Sequence, residues 1–130
     1  MALSRVLLDS HVFLWALEQP HKIGAKTTQL ITEADSVYVS VVSLWELELQ
    51  HAAGKFPYTT TKLVEGIKQS GFKLMKLEPS HIQEYGRVKL PHKDPFDTLL
   101  VAQSQAEDCL FITADKQILA SSHIVQDASK

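Results

Sequence analysis

Five acidic residues stand in apolar or turn segments of the chain: Asp9, Glu46, Asp94, Asp97 and Asp115. Carboxylates about 4 Å apart repel by roughly 4 kcal/mol at an intermediate dielectric, so a cluster of them requires protons or a cation. Oxygen ligands with few histidines suit magnesium or manganese better than zinc. A hard dication held in this way bridges a phosphate oxygen, activates a bound water and stabilises the leaving oxygen. The residue types therefore indicate phosphodiester hydrolysis.

Each of these acids also has a purely structural explanation. Asp9, Asp94 and Asp115 precede helical patterns, where aspartate commonly accepts hydrogen bonds from free backbone amides. Asp97 falls in the first turn of its helix, close to the positive end of the helix dipole. Glu46 lies within a helical pattern and can be an ordinary residue at the edge of an apolar face. Taken singly, capping is the better explanation for the aspartates.

Short apolar runs alternate with helical patterns along the chain. Strands are predicted at residues 5–9, 37–40, 72–77, 109–113 and 124–126, and helices at 10–17, 24–34, 43–53, 60–70, 79–88 and 94–107. Strands that alternate with helices form a parallel sheet covered on both faces, so the pattern predicts an α/β fold. In such folds ligands bind beyond the carboxyl ends of the strands. Asp9 and Asp115 both stand at such ends, and a helix crossing that edge can add Glu46 or Asp97.

Length and composition favour one globular domain over residues 1–130. The 130 residues are 45% hydrophobic and 22% charged, which is close to the globular average and excludes a disordered or fibrous chain. A single cysteine, Cys109, permits no intramolecular disulfide and favours a reducing compartment. The longest apolar runs are too short for a membrane span, and the N-terminus lacks the pattern of a secretion signal. We expect a cytoplasmic protein with no membrane partner.

Several other functions find no support in the sequence. No glycine-rich phosphate loop, serine-hydrolase elbow or zinc-protease histidine pair occurs. His11 and His92 lie close to acids and can contact substrate, although surface or supporting roles are favoured. Residues 62–93 carry seven basic and three acidic side chains, a local charge of +4. A solvated mixed surface explains this segment best, although it can also steer a nucleic-acid backbone.

Four segments of the chain together resemble the PIN-domain family, and within it the VapC-type toxins of toxin–antitoxin pairs. They are LLDSHVFLW at 7–15, SVVSLWE at 40–46, HKDPFDTLLVAQ at 92–103 and ITAD at 112–115. The resemblance spans essentially the whole chain. It implies a three-layer α/β/α domain with a short central parallel sheet and a metal-dependent ribonuclease site. It also implies an RNA substrate, a homodimer and a small cognate antitoxin that blocks the site.

The resemblance assigns roles residue by residue. Asp9, Glu46, Asp97 and Asp115 match the four acidic positions of the family and are the expected catalytic residues. Of these, Asp9, Asp97 and Asp115 are the expected ligands of Mg²⁺ or Mn²⁺. Ser10 stands where the family often has threonine, and Thr113 matches a common hydroxyl position. Three roles are open for Asp94: it can cap the helix, support the metal ligands from behind, or be a metal ligand itself.

Two alternatives to a nuclease come from other functional classes. A receiver-type signalling domain is also α/β with clustered aspartates, but it places an acidic pair at the end of its first strand, and here Leu8 precedes Asp9. A catalytically silent PIN-like interaction module would keep the fold without the chemistry. The complete acidic set argues against this second alternative.

Overall fold

The computed structural model describes residues 5–92, 94–121 and 124–130. The strands are β1 (Arg5–Leu8), β2 (Ser36–Ser40), β3 (Lys73–Met75), β4 (Leu110–Thr113) and β5 (Val125–Asp127). The helices are α1 (Ser10–Glu18), α2 (Ala25–Glu33), α3 (Val41–Ala52), α4 (Thr60–Gln69), α5 (Pro79–Tyr85), α6 (Pro95–Ala106) and α7 (Lys116–Leu119). A short 3-10 helix at Pro20–Lys22 follows α1. No helix in these ranges is long and apolar enough to cross a membrane. The first four residues and Lys93 of the basic segment lie outside the described residues.

The five strands form one parallel sheet in the order β3-β2-β1-β4-β5. The chain builds outward from β1 to β2 and β3, then crosses back to place β4 on the other side of β1. The strand order therefore reverses between β1 and β4, which is where open α/β sheets bind ligands. Asp9 follows β1 directly, and its backbone N–H donates to the carbonyl of Ile112 in β4 at 2.9 Å. The two carboxyl ends thus lie side by side.

Alternate residues of the central strands enter two separate cores. Val6 and Leu8 of β1 face one core, and Leu7 between them faces the other. Helices α1, α3 and α4 supply most of the helical residues of the first core, whereas α6 and α7, together with Val42 of α3, supply those of the second. Each of these strand side chains is at most 1% exposed. The predicted three-layer α/β/α fold with a short central parallel sheet is confirmed.

The main differences from the predicted elements occur at ends and in short segments. Helix α3 begins at Val41, two residues earlier than expected, because the hydroxyl of Ser40 accepts from the backbone N–H of Val42. Helix α5 ends at Tyr85, so the predicted extension to residue 88 is wrong. Strand β3 covers only three of the six predicted residues. The sequence pattern gives no bounds for helix α7, because its four residues are too few to show the periodicity of a helix.

A buried chain of polar side chains crosses the second core. The hydroxyl of Ser40 donates to the side-chain oxygen of Gln103 in α6. The amide nitrogen of Gln103 lies 3.2 Å from Nδ1 of His81, and Nε2 of His81 lies 2.7 Å from the carboxylate of Glu107. Arg5 in β1 donates to the backbone carbonyl of Glu107. Ser40, His81 and Gln103 are fully buried, so these bonds fix how β2, α5 and α6 meet.

Candidate active site

Asp9 is held at the end of β1 by donors to both of its carboxylate oxygens. Oδ1 accepts from the backbone N–H of Ser10 at 2.7 Å, and Oδ2 accepts from the hydroxyl of Thr113 at 2.8 Å. The side chain is nearly buried, with 6% of the residue exposed. Burial raises the pKa of Asp9, and the hydrogen bond from Thr113 opposes that rise. Asp9 is therefore a rigidly oriented carboxyl group at the floor of the site.

Asp115 combines helix capping with a place in the site. Its Oδ1 accepts from the backbone N–H groups of Gln117 and Ile118 at the start of α7. Its own N–H donates to the hydroxyl of Thr113 at 3.0 Å. Oδ2 lies 3.6 Å from Nε2 of His92. The cap thus engages Oδ1, and Oδ2 faces the neighbouring acidic groups.

The segment that opens α6 places its two aspartates differently. Oδ1 of Asp94 accepts from the N–H groups of Phe96 and Asp97, at 2.9 and 3.2 Å, so Asp94 is the N-cap of the helix. Pro95 occupies the first helical position, where a missing N–H costs nothing. Asp97 lies in the first turn, and its Oδ2 is 3.6 Å from Nε2 of His92. Asp94 nevertheless remains on the wall of the same cleft.

Glu46 reaches the site from α3 across the end of the sheet. Its Oε1 accepts from the hydroxyl of Ser10 at 2.8 Å, and that hydroxyl also lies 2.8 Å from Oγ of Ser43. Ser10 and Ser43 are fully buried, so this contact couples α1 to α3 beneath the carboxylate. Burial raises the pKa of Glu46, and the nearby charge of Asp9 raises it further. The serine hydroxyl acts in the opposite direction by favouring the ionised form.

All five acids of the sequence analysis line one open cleft of about 320 Å³. His11, Trp15 and Ala114 complete its walls. The pKa of Asp97 rises from 3.8 to about 7. Desolvation is the main cause, followed by the charges of Asp9 and Asp94 and those of the other acids. The hydrogen bonds within the cleft therefore do not offset the repulsion among its carboxylates.

A divalent cation fits this arrangement on the chemistry of its donors. Oxygen atoms of Asp97 and Asp115 and a ring nitrogen of His92 lie within 4.8 Å of one another, a span that one ion can bridge. Asp9 lines the same cleft with a carboxylate whose pKa desolvation raises. Carboxylates of this kind are ligands for magnesium and manganese. The raised pKa values of Asp9, Glu46 and Asp97 mark a site whose charge a cation would neutralise.

Sequence reasoning missed the position of His92 in this site. The sequence favoured a surface or supporting role for His11 and His92 without giving their positions; in the structure His11 lines the cleft, and Nε2 of His92 is buried between two carboxylates. The only sequence signal is its place two residues before Asp94. Trp15 packs against the first core and also borders the cleft.

Comparison with known proteins agrees with this architecture. A family model described as "PIN domain" matches residues 6–121. The chain belongs to the PIN-domain family. A search of curated proteins finds no match to the sequence.

Solved structures share the fold at low sequence identity. A chain of the VapBC2 structure from Rickettsia felis, bound to a promoter DNA fragment, is 16% identical with a TM-score of 0.69, covering 94% of this chain and 97% of that one. A chain of a DNA-bound VapBC structure from Salmonella typhimurium is 13% identical with a TM-score of 0.68, covering 95% and 97%. A chain of a toxin–antitoxin complex from Klebsiella pneumoniae is 12% identical with a TM-score of 0.63, covering 95% and 97%. These likenesses establish the fold.

The different placements of Asp94 and Asp97 predict different consequences of substitution. We expect Asp94→Ala to lower the free energy of unfolding by about 1 kcal/mol, the usual loss for a removed cap, and to retain Mn²⁺ binding. Asp97→Asn should weaken Mn²⁺ binding and leave the fold almost unchanged. Thermal unfolding and calorimetric titration with Mn²⁺ measure both effects. If Asp94→Ala loses the metal and Asp97→Asn keeps it, the two roles are reversed.

The raised pKa of Asp97 predicts that metal-free protein loses stability as the pH rises. Between the unfolded value near 3.8 and the folded value of about 7, the folded chain holds more protons than the unfolded chain. The free energy of unfolding therefore falls with rising pH across that interval. We expect a lower melting temperature at about pH 8 than at about pH 5 in the presence of a chelator.

Two variants test whether Asp97 causes this pH dependence. Asp97→Asn is neutral throughout the range, so it should flatten the dependence of melting temperature on pH. Asp35→Asn, at an exposed position before β2, removes an equal charge away from the cleft and should leave the slope as it is. Equal slopes in wild type and Asp97→Asn would contradict the assignment.

Proposed function

We propose that this chain is a Mg²⁺- or Mn²⁺-dependent endoribonuclease and the toxin of a toxin–antitoxin pair. The observation that carries the proposal is the convergence of Asp9, Glu46, Asp97 and Asp115 on one cleft at the switch point of the sheet. A silent interaction module would have no need to keep four acids together in one cleft against their repulsion. Membership of the PIN-domain family supports the proposal, as do neighbours described as toxin–antitoxin complexes.

Asp9, Asp97 and Asp115 would hold the metal, and Glu46 would act beside them. When bound, the ion supplies a Lewis acid for the phosphate and lowers the pKa of a water nucleophile. Asp97 must release its proton to become a ligand, which its pKa of about 7 permits near neutral pH. Ser10 and Thr113 keep Glu46 and Asp9 oriented throughout. The raised pKa of Glu46 suits it to accept a proton from an attacking water.

RNA is the proposed substrate because the site suits a phosphodiester and the family resemblance implies a ribonuclease. The basic segment at residues 62–93 offers lysines for contacts with the RNA backbone, which position a strand without reading its sequence. The proposed antitoxin inserts a segment near the acidic cleft. An arginine is the side chain best matched to these carboxylates, because its planar fork binds a carboxylate through two hydrogen bonds.

Cleavage of RNA should require the metal and Asp9. We expect purified protein to cut structured RNA in Mn²⁺ or Mg²⁺ and to lose that activity in excess EDTA. Asp9→Asn should lose at least about 100-fold in rate, since it removes a metal ligand and its charge. Mn²⁺ should also raise the melting temperature of the wild type, because it binds the folded chain preferentially. Asp35→Asn serves as the matched control with full activity. Undiminished cleavage in excess EDTA would refute the metal-dependent mechanism.

We also propose a homodimer that covers an exposed apolar face beside the cleft. Trp45 and Ile82 are 55% and 54% exposed, and with Tyr85 and Phe96 they line an apolar groove of about 240 Å³. The rings of Trp45 and Phe96 meet edge to face with centroids 4.8 Å apart. A contiguous apolar patch of this kind is typical of an interaction surface, and a two-fold axis lets one patch cover its own copy.

The proposed dimer predicts that a charge on this face separates the subunits. We expect light scattering to give twice the chain mass for the wild type at micromolar concentration and the single chain mass for Ile82→Glu. Ile124→Glu introduces the same charge at another highly exposed isoleucine, away from the groove, and should remain dimeric. A monomeric wild type would contradict the proposal, as would an Ile82→Glu variant that stays dimeric.

A further inference from the structure

The imidazole ring of His92 makes different contacts through its two nitrogens. Nδ1 lies 3.3 Å from the backbone nitrogen of Asp94, which donates its hydrogen to it. Nε2 points the other way and lies 3.6 Å from Oδ2 of Asp97 and 3.6 Å from Oδ2 of Asp115. The side chain as a whole is 24% exposed, but the Nε2 atom is buried. Among the described residues Nε2 has no hydrogen-bond partner.

The contact with Asp94 determines where the ring carries its proton. A backbone N–H can only donate, so Nδ1 must accept with its lone pair. A neutral imidazole has one N–H, and this hydrogen is therefore on Nε2. A doubly protonated ring has no lone pair on Nδ1 and would lose the bond from Asp94. The contact with Asp94 thus indicates the tautomer with its hydrogen on Nε2, the nitrogen that lies between the two carboxylates.

This placement argues against His92 as a metal ligand, although its distance from Asp97 and Asp115 would permit it. A ring nitrogen binds a metal with its lone pair, and the Nε2 of this tautomer has a hydrogen in that place. Coordination through Nε2 would require the proton to move to Nδ1, which would then face the N–H of Asp94. Two donors would meet at that point, and the hydrogen bond that orients the ring would be lost.

We propose that His92 is a positioning residue whose Nε2 edge, placed between Oδ2 of Asp97 and Oδ2 of Asp115, fixes how these two carboxylates face each other. The inference deepens the proposed function, on which it rests, because it assigns the group that orients two of the three proposed metal ligands. Asp97 belongs to α6 and Asp115 precedes α7, so the two carboxylates come from separate elements. A ring edge 3.6 Å from both is placed to set their relative orientation electrostatically. Donors of this kind behind a ligand commonly control metal affinity.

Two substitutions separate the roles of the two ring nitrogens. His92→Asn keeps an acceptor near the position of Nδ1 and removes the donor at Nε2. His92→Gln reaches the position of Nε2 and restores an N–H donor there. We expect His92→Asn to weaken Mn²⁺ binding by about 10- to 100-fold, and His92→Gln to stay within about threefold of the wild type. The measurement is calorimetric titration of the full chain with Mn²⁺ in the absence of RNA.

Controls keep folding effects apart from the positioning effect. His21→Asn makes the same change at an exposed histidine and should leave the affinity for Mn²⁺ unchanged. The melting temperature of each variant without metal shows whether it folds. His92→Asn that binds Mn²⁺ as tightly as the wild type would overturn the proposal. Equal weakening in His92→Asn and His92→Gln would also overturn it, because a donor at Nε2 would then be insufficient.

Nitrogen NMR of the histidine rings tests the tautomer directly. Long-range ¹H–¹⁵N spectra distinguish a ring protonated on Nε2 from one protonated on Nδ1, and the spectrum of His92→Asn identifies the signals of His92. We expect the Nε2–H pattern without metal and with Mg²⁺ bound. A shift of the proton to Nδ1 on addition of Mg²⁺ would make His92 a ligand and overturn the inference.

The outcomes also separate this inference from the proposed function. If His92→Asn weakens Mn²⁺ binding as expected but the wild type cuts no RNA, the inference is supported and the nuclease function is refuted. Protein that cuts RNA with Mn²⁺ while His92→Asn binds the metal normally supports the nuclease and refutes the inference. A chain that binds no Mn²⁺ in this cleft overturns both.

Discussion

Mutual repulsion among buried and half-buried carboxylates is the constraint on which the arrangement of this protein depends. Five acids line one cleft, and the pKa of Asp97 rises to about 7 because water is partly excluded and its neighbours are negative. The fold meets this constraint with donors at fixed positions. These are the first amides of α1, α6 and α7 and the hydroxyls of Ser10 and Thr113. The remaining charge makes the cleft a place for a cation.

Capping and metal binding are separate explanations at the level of sequence, but the structure allows both for one side chain. Asp115 caps α7 with Oδ1 and turns Oδ2 toward the other acids. Asp94 also caps its helix through Oδ1, while Asp97 faces the cleft from the first turn. A carboxylate has two oxygens with several lone pairs, so one oxygen can fix the orientation that the other uses. The helix N-termini therefore help to build the site.

The sequence predicted the parts of this protein that depend on local pattern. Apolar runs gave β1 and β4, and the acids that follow them, Asp9 and Asp115, indeed share one edge of the sheet. The order of the strands was not predicted, because it depends on packing between distant elements. The pattern left Glu46 and Asp97 as alternatives for a helix crossing this edge, and the structure brings both into the cleft. His92 lies in a loop, where no periodicity shows which way a side chain points.

The buried chain of Ser40, Gln103 and His81 restricts how the core can change during evolution. Its members come from β2, α6 and α5, and each satisfies a polar group on another element. Replacing one member by an apolar residue leaves the polar groups of its partners buried without a hydrogen bond, which lowers stability. Replacing all of them together with apolar groups of similar shape can leave stability nearly unchanged. A single apolar replacement at the contact between β2 and α6 therefore costs more stability than a matched replacement of all its members.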